Sequence, residues 1–128
     1  MRSSLRVLLL ALGCAPAFGA ELLTAPLPPL PADQEVRIDD LTLPPKFEGQ
    51  AHRHDAYVYV YVAQGTIEMQ VAGKPVQRLT AGQVFTENPD DVHTVMRNPS
   101  ETEPARFVAF IIKKAGVPTV LPASPAAR

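Results

Sequence analysis

The chain contains three histidines, arranged as His52-Arg53-His54 and, well downstream, His93. Imidazole is the commonest protein ligand for late first-row transition metals. In a β-strand, side chains two residues apart share a face, so His52 and His54 can reach one ion from about 6.6 Å apart along the chain. One more imidazole from a second strand completes a three-nitrogen face. His93 follows the proline-bearing turn Asn88-Pro89-Asp90-Asp91 and is the remaining candidate. The spacing points to one divalent transition metal ion held by His52, His54 and His93, with Zn, Mn, Fe, Ni and Cu all open. The plainer alternative is three interior histidines that hold no metal.

The elements that must position these rings are strands. Short apolar or alternating runs are divided by turn residues at Gly49, Gly65, Gly73, Gly82, the Asn88–Asp91 cluster and Asn98-Pro99-Ser100. Such punctuation, with β-branched and aromatic runs between, indicates an all-β sandwich or barrel. Strands are expected at Glu35–Ile38, Ala51–His54, Tyr57–Ala63, Thr66–Val71, Pro75–Leu79, Gln83–Glu87, His93–Arg97 and Ala105–Lys113, with a tight hairpin at Gly65. No helix-period run of any length is visible.

In Tyr57-Val58-Tyr59-Val60-Tyr61-Val62 the two residue types fall on opposite faces. Buried valines leave an outward tyrosine stripe, and tyrosine is enriched at protein interfaces, so a homodimer is expected. If His93 faces inward, strict alternation brings Val95 and Arg97 with it. Val58, Val95 and Arg97 are therefore the candidate substrate-binding residues, with Arg97 able to clamp a carboxylate. The plainer role for Arg97 is a rim residue, solvated or paired with an acid. Arg53 lies between two inward histidines and points outward. Asp90 and Asp91 suit a turn for backbone reasons and receive no catalytic role. The sequence offers no convincing acid/base partner beside the metal.

The ends differ from the middle. Arg2 and Arg6 precede a short apolar run, Val7 to Leu12, and Ala17-Phe18-Gly19 supplies small residues for cleavage. Residues 1–20 read as a secretory signal, and the apolar run is too short to span a bilayer. Export to a bacterial periplasm or beyond is expected. A lipoprotein signal ending at Cys14 is the alternative. Cys14 is the only cysteine, so a processed chain has neither a disulfide framework nor a thiolate ligand. Residues 21–35, with Pro26, Pro28, Pro29 and Pro31, form a proline-rich N-terminal arm that cannot be helical. The barrel is expected over 36–114 and a flexible tail over 115–128. The formal net charge is −1, and removing Arg2 and Arg6 makes it more acidic. Nucleic acid and anionic membranes are poor partners for such a chain. A small-molecule ligand or substrate is the expected partner, with no transmembrane segment.

His52-Arg53-His54, three residues, Val58, six residues and Gly65 resemble the first motif of the cupin superfamily. Gly82 to His93, followed by Asn98, resembles the second. The resemblance covers roughly residues 45–112. It implies a small double-stranded β-helix, a jelly-roll-like barrel with one metal ion inside. Departures are visible. The leading glycine of the first motif falls at Lys46, Asn88 takes the usual proline place, and Asp90 takes a glycine place. Val58 stands where the family usually has a ligand glutamate, which leaves three imidazoles and an apolar wall. Three neutral rings leave the ion's charge uncompensated, which favours an anionic substrate or hydroxide. The resemblance thus implies an exported metal-binding protein acting on a small anionic or oxygen-rich molecule, as a dioxygenase or isomerase. A non-catalytic module that binds or senses a small ligand or metal is the alternative.

Overall fold

A computed structural model describes residues 19–124. The expected signal, including Cys14, lies outside them except for Gly19 and Ala20, as do residues 125–128 of the expected tail. Among the described residues no helix is long and apolar enough to cross a membrane.

The chain forms β1 (Gln34–Leu43), β2 (His52–Arg53), β3 (Tyr57–Gln64), β4 (Thr66–Val71), β5 (Gln77–Thr80), β6 (Val84–Glu87), β7 (His93–Arg97), β8 (Ala105–Lys114) and β9 (Leu121–Pro122). One sheet has the order β1-β8-β3-β6 and the other β5-β4-β7-β2-β9. The named pairings are antiparallel. The all-β architecture expected from the turn spacing is the one observed.

Period-two alternation fills the space between the sheets. Val58, Val60 and Val62 of β3 face Ile67, Met69 and Val71 of β4 across the core, all buried. Burying each such side chain stabilises the fold by about 1.5–3 kcal/mol. From β8 come Ala105, Phe107, Ala109 and Ile111. Small Ala109 alternates with larger neighbours and leaves room for a cavity. Gly65 makes the β3–β4 hairpin at φ 74°, and a Cβ there would sit 2.8 Å from Pro104 O. Only glycine accepts both conditions. Buried Asn98 closes one end, its Nδ2 donating to Leu43 O, Pro44 O and Glu103 O at 2.8–3.1 Å.

Near the site, two features depart from the sequence expectation. In the β4–β7 pairing, Gln70 faces Val95 but Val71 faces His93, so β7 carries one extra residue. This bulge resets the phase, as bulges do. His93 and Met96 face inward, and the inward placement expected for Val95 and Arg97 is corrected. The second departure is the segment after Lys114, expected as a flexible tail. It returns to the barrel, and β9 pairs with β2 through His52↔Pro122 and Arg53↔Leu121.

The tyrosines face outward, as the alternation indicated. Tyr59 and Tyr61 lie beside Phe110, and Val36 and Ile38 of β1 are 64% and 60% exposed. Leu22 and Leu23 of the arm border the same patch.

Candidate metal centre

β2 and β7 bring His52 opposite His93 as a direct cross-strand pair. His54, two residues along, shares the inward face. The ring centroids lie 4.8 Å apart for His52–His54 and 5.0 Å for His52–His93. One ligand nitrogen from each ring falls within 4.8 Å of the others. The three histidines singled out by spacing do converge.

Their hydrogen bonds define which nitrogens are free. His52 Nδ1 lies 2.8 Å from Gln50 O, and His54 Nδ1 lies 2.7 Å from Thr119 O. A carbonyl only accepts, so each Nδ1 carries the proton and each Nε2 keeps a bare lone pair. Those two Nε2 atoms are 3.2 Å apart. Two lone pairs facing at that distance repel unless a cation is shared between them. The outer hydrogen bond from ligand imidazole to carbonyl is the usual support of a metal-binding histidine. His93 is 3% exposed, and neither ring nitrogen has a hydrogen-bond partner. Buried, unpartnered imidazole nitrogens are costly unless they have a ligand. These residues fit a divalent ion.

A fourth group sits with them. Glu87 is 3% exposed on β6, with Oε1 3.4 Å from His93 Nδ1 and Oε2 4.0 Å from His54 Nε2. Its cross-strand partner is Val58, the residue in the family's glutamate place. A carboxylate is therefore present at this corner, offered by the neighbouring strand. The sequence reading missed it, giving Glu87 no role beyond closing the expected strand Gln83–Glu87. The signal was the alternation in Val84-Phe85-Thr86-Glu87, which puts Glu87 on the face of buried Phe85.

Burial shapes the titration of all these groups. It pushes the Glu87 carboxyl up to about 7, aided by Asp91. Burial, then the neighbouring His52 and His54, lowers His93 to about 4. Burial also lowers His54. Both shifts keep imidazole neutral, the form that coordinates a metal.

The centre opens into a cavity of about 460 Å³. Val58 lines it. Val95 and Arg97 do not. Arg97 Nε donates to Glu68 Oε2 at 2.6 Å on the outer face, and Glu68 also accepts from Arg78. Residues 119–122 form part of the cavity wall.

Comparison with known proteins places this geometry in context. The cupin domain family model matches residues 40–111. No curated protein matches at a significant level. Among solved structures, the DMSP lyase DddQ from Ruegeria pomeroyi is similar, with TM-score 0.62 and 16% identity over 76% of this chain. The chain spans 47% of that lyase. A predicted oxalate decarboxylase from Thermotoga maritima matches with TM-score 0.53 and 25% identity, covering 59% of this chain and 64% of its own. A cupin domain from Bordetella pertussis matches with TM-score 0.51 and 27% identity, covering 66% and 86%.

Proposed function

The chain belongs to the cupin domain family, and from that premise we propose that it is a metal-dependent enzyme acting on a small molecule in its barrel. His52, His54, His93 and Glu87 would hold one divalent ion. When bound, the ion would supply Lewis acidity to a substrate oxygen, or redox chemistry if it is iron or copper. The observation that carries this reading is the pair of bare Nε2 atoms 3.2 Å apart, backed by two carbonyls, with His93 unpartnered beside them.

The chain's own residues do the rest. Gln50 O and Thr119 O orient two rings and fix their tautomers. Glu87 offers negative charge where Val58 offers none, so the centre is better compensated than three imidazoles alone. Val58 and its apolar neighbours exclude water from that corner. Reactions of the isomerase or dioxygenase type suit an ion with positions left for substrate. The DMSP lyase and the predicted oxalate decarboxylase among the similar structures support an enzymatic use of this fold without fixing the reaction.

A second reading, a binding or sensing module, is favoured by one observation. Beyond the four proposed donors, the acidic group lining the cavity is Asp39, and Arg37 already holds it at 2.9 Å. Oxygen uptake or turnover by the metal-loaded chain supports the enzyme. A ligand that copurifies at one per chain without turnover supports the module.

Export and self-association belong to the same proposal. Export rests on the signal-like start. A homodimer is supported by the exposed apolar row on the outer face of the four-stranded sheet, bordered by the Asp40–Arg106 ion pair. Such a border can meet its own copy across a two-fold axis.

A further inference from the structure

We infer that the molecule taken by this cavity has a mostly hydrocarbon body and a single oxygen-bearing head, the head alone meeting the metal centre. This rests on the metal-centre reading above and narrows its substrate. The polar lining residues Gln50 and Thr119 lie against the histidines, their carbonyls holding the His52 and His54 rings. Away from these, Glu87 and Asp39, the wall is built largely from Leu41, Phe47, Val60, Met69, Met96 and Phe107. Among the described residues lining the cavity there is no lysine or arginine. Asp39 is already engaged by Arg37.

Charge and solvation both follow from this lining. A divalent ion with three neutral imidazoles and one carboxylate carries one net positive charge. One anionic head neutralises it, and a second anion finds no cation in the wall. A hydroxyl-rich or doubly charged body would be stripped of water against carbon and sulfur. Each unpaired polar group then costs about tenfold or more in affinity. A hydrocarbon body gains instead, by about fourfold for each methylene buried. Met69 and Met96 face each other across the β4–β7 ladder. Two thioethers make an adaptable surface that suits unbranched or aryl bodies without fixed polar contacts. The class is therefore a carboxylic or enolic acid on a small hydrocarbon, which narrows the anionic or oxygen-rich molecule expected from the sequence to its anionic, oxygen-poor branch.

The test uses the whole chain. Cobalt(II) is added to metal-free protein, and its visible spectrum is followed during titration with acetate, butyrate, hexanoate and adipate. Affinity should tighten by about fourfold per methylene up to hexanoate, and adipate should bind at least about tenfold more weakly than hexanoate. A flat series, or adipate binding as well as hexanoate, overturns the inference. Failure to take up cobalt instead overturns the metal reading. The cavity is then judged without metal, by the melting temperature with n-hexanol against 1,6-hexanediol. Hexanol should raise it more, and an equal or larger effect from the diol overturns the inference.

Discussion

Two ε nitrogens held 3.2 Å apart by carbonyls behind them make a small electrostatic problem that a cation solves. Glu87 poses a second one. Without metal, its buried carboxyl is raised to about 7, so folding is favoured while it stays protonated. That contribution is present below the ordinary carboxylate pKa and is lost as pH rises through about 7. His93, depressed to about 4, has the opposite sign: its contribution is present above the ordinary imidazole pKa and is lost as pH falls through about 4. Glu87→Gln should therefore raise the melting temperature of metal-free protein more at pH 8 than at pH 5. A gain independent of pH contradicts the assignment. With metal the sign reverses, because Gln is a poor substitute for a carboxylate donor. Glu87→Val should weaken metal binding by at least about tenfold, the scale seen when groups around a metal are lost. Moving the acid across the ladder, as Val58→Glu with Glu87→Val, should recover most of that loss. No recovery, in a variant that still melts cooperatively, would show that the acid does not serve the ion. The histidines were legible in the sequence because their type and spacing are rare together. Glu87 was not, because its role depends on which strand lies beside Val58, and sequence distance does not report that.

At the scale of elements, the strands and hairpins follow from alternation and turn residues, and Thr66–Val71 and His93–Arg97 are observed as expected. The error was one residue deep. Strict alternation carried Val95 and Arg97 inward, whereas a bulge in β7 turns them out. Bulges arise from pairing with a partner strand, so a single strand's pattern does not reveal them. β9 was likewise hidden, since two residues give no periodicity to read. It matters because the same segment supplies the carbonyl for His54 and a wall of the cavity. A chain ending at Lys114 should keep the barrel core but bind metal about 10–100-fold more weakly, a loss typical of removed outer hydrogen bonds. Circular dichroism should confirm the fold, and metal competition should measure the affinity. Unchanged affinity would mean that the segment is ornamental.

For the whole molecule, the outer face of the four-stranded sheet is apolar where a monomer would be expected to be polar. Val36, Ile38 and Phe110 share it with the tyrosines, and contiguous patches of this kind mark contacts. Phe110→Glu should shift sedimentation from dimer to monomer while leaving metal content unchanged, because Phe110 faces away from the cavity. Parent protein that sediments as a monomer at high concentration contradicts the dimer.

Metal content of protein isolated without added ions, measured beside His93→Ala by elemental analysis, tests the central claim most directly. The account predicts one transition metal ion per parent chain and almost none in the folded variant. Equal metal in both, or none in a parent chain that also refuses zinc, cobalt, manganese and iron when they are offered, would contradict it.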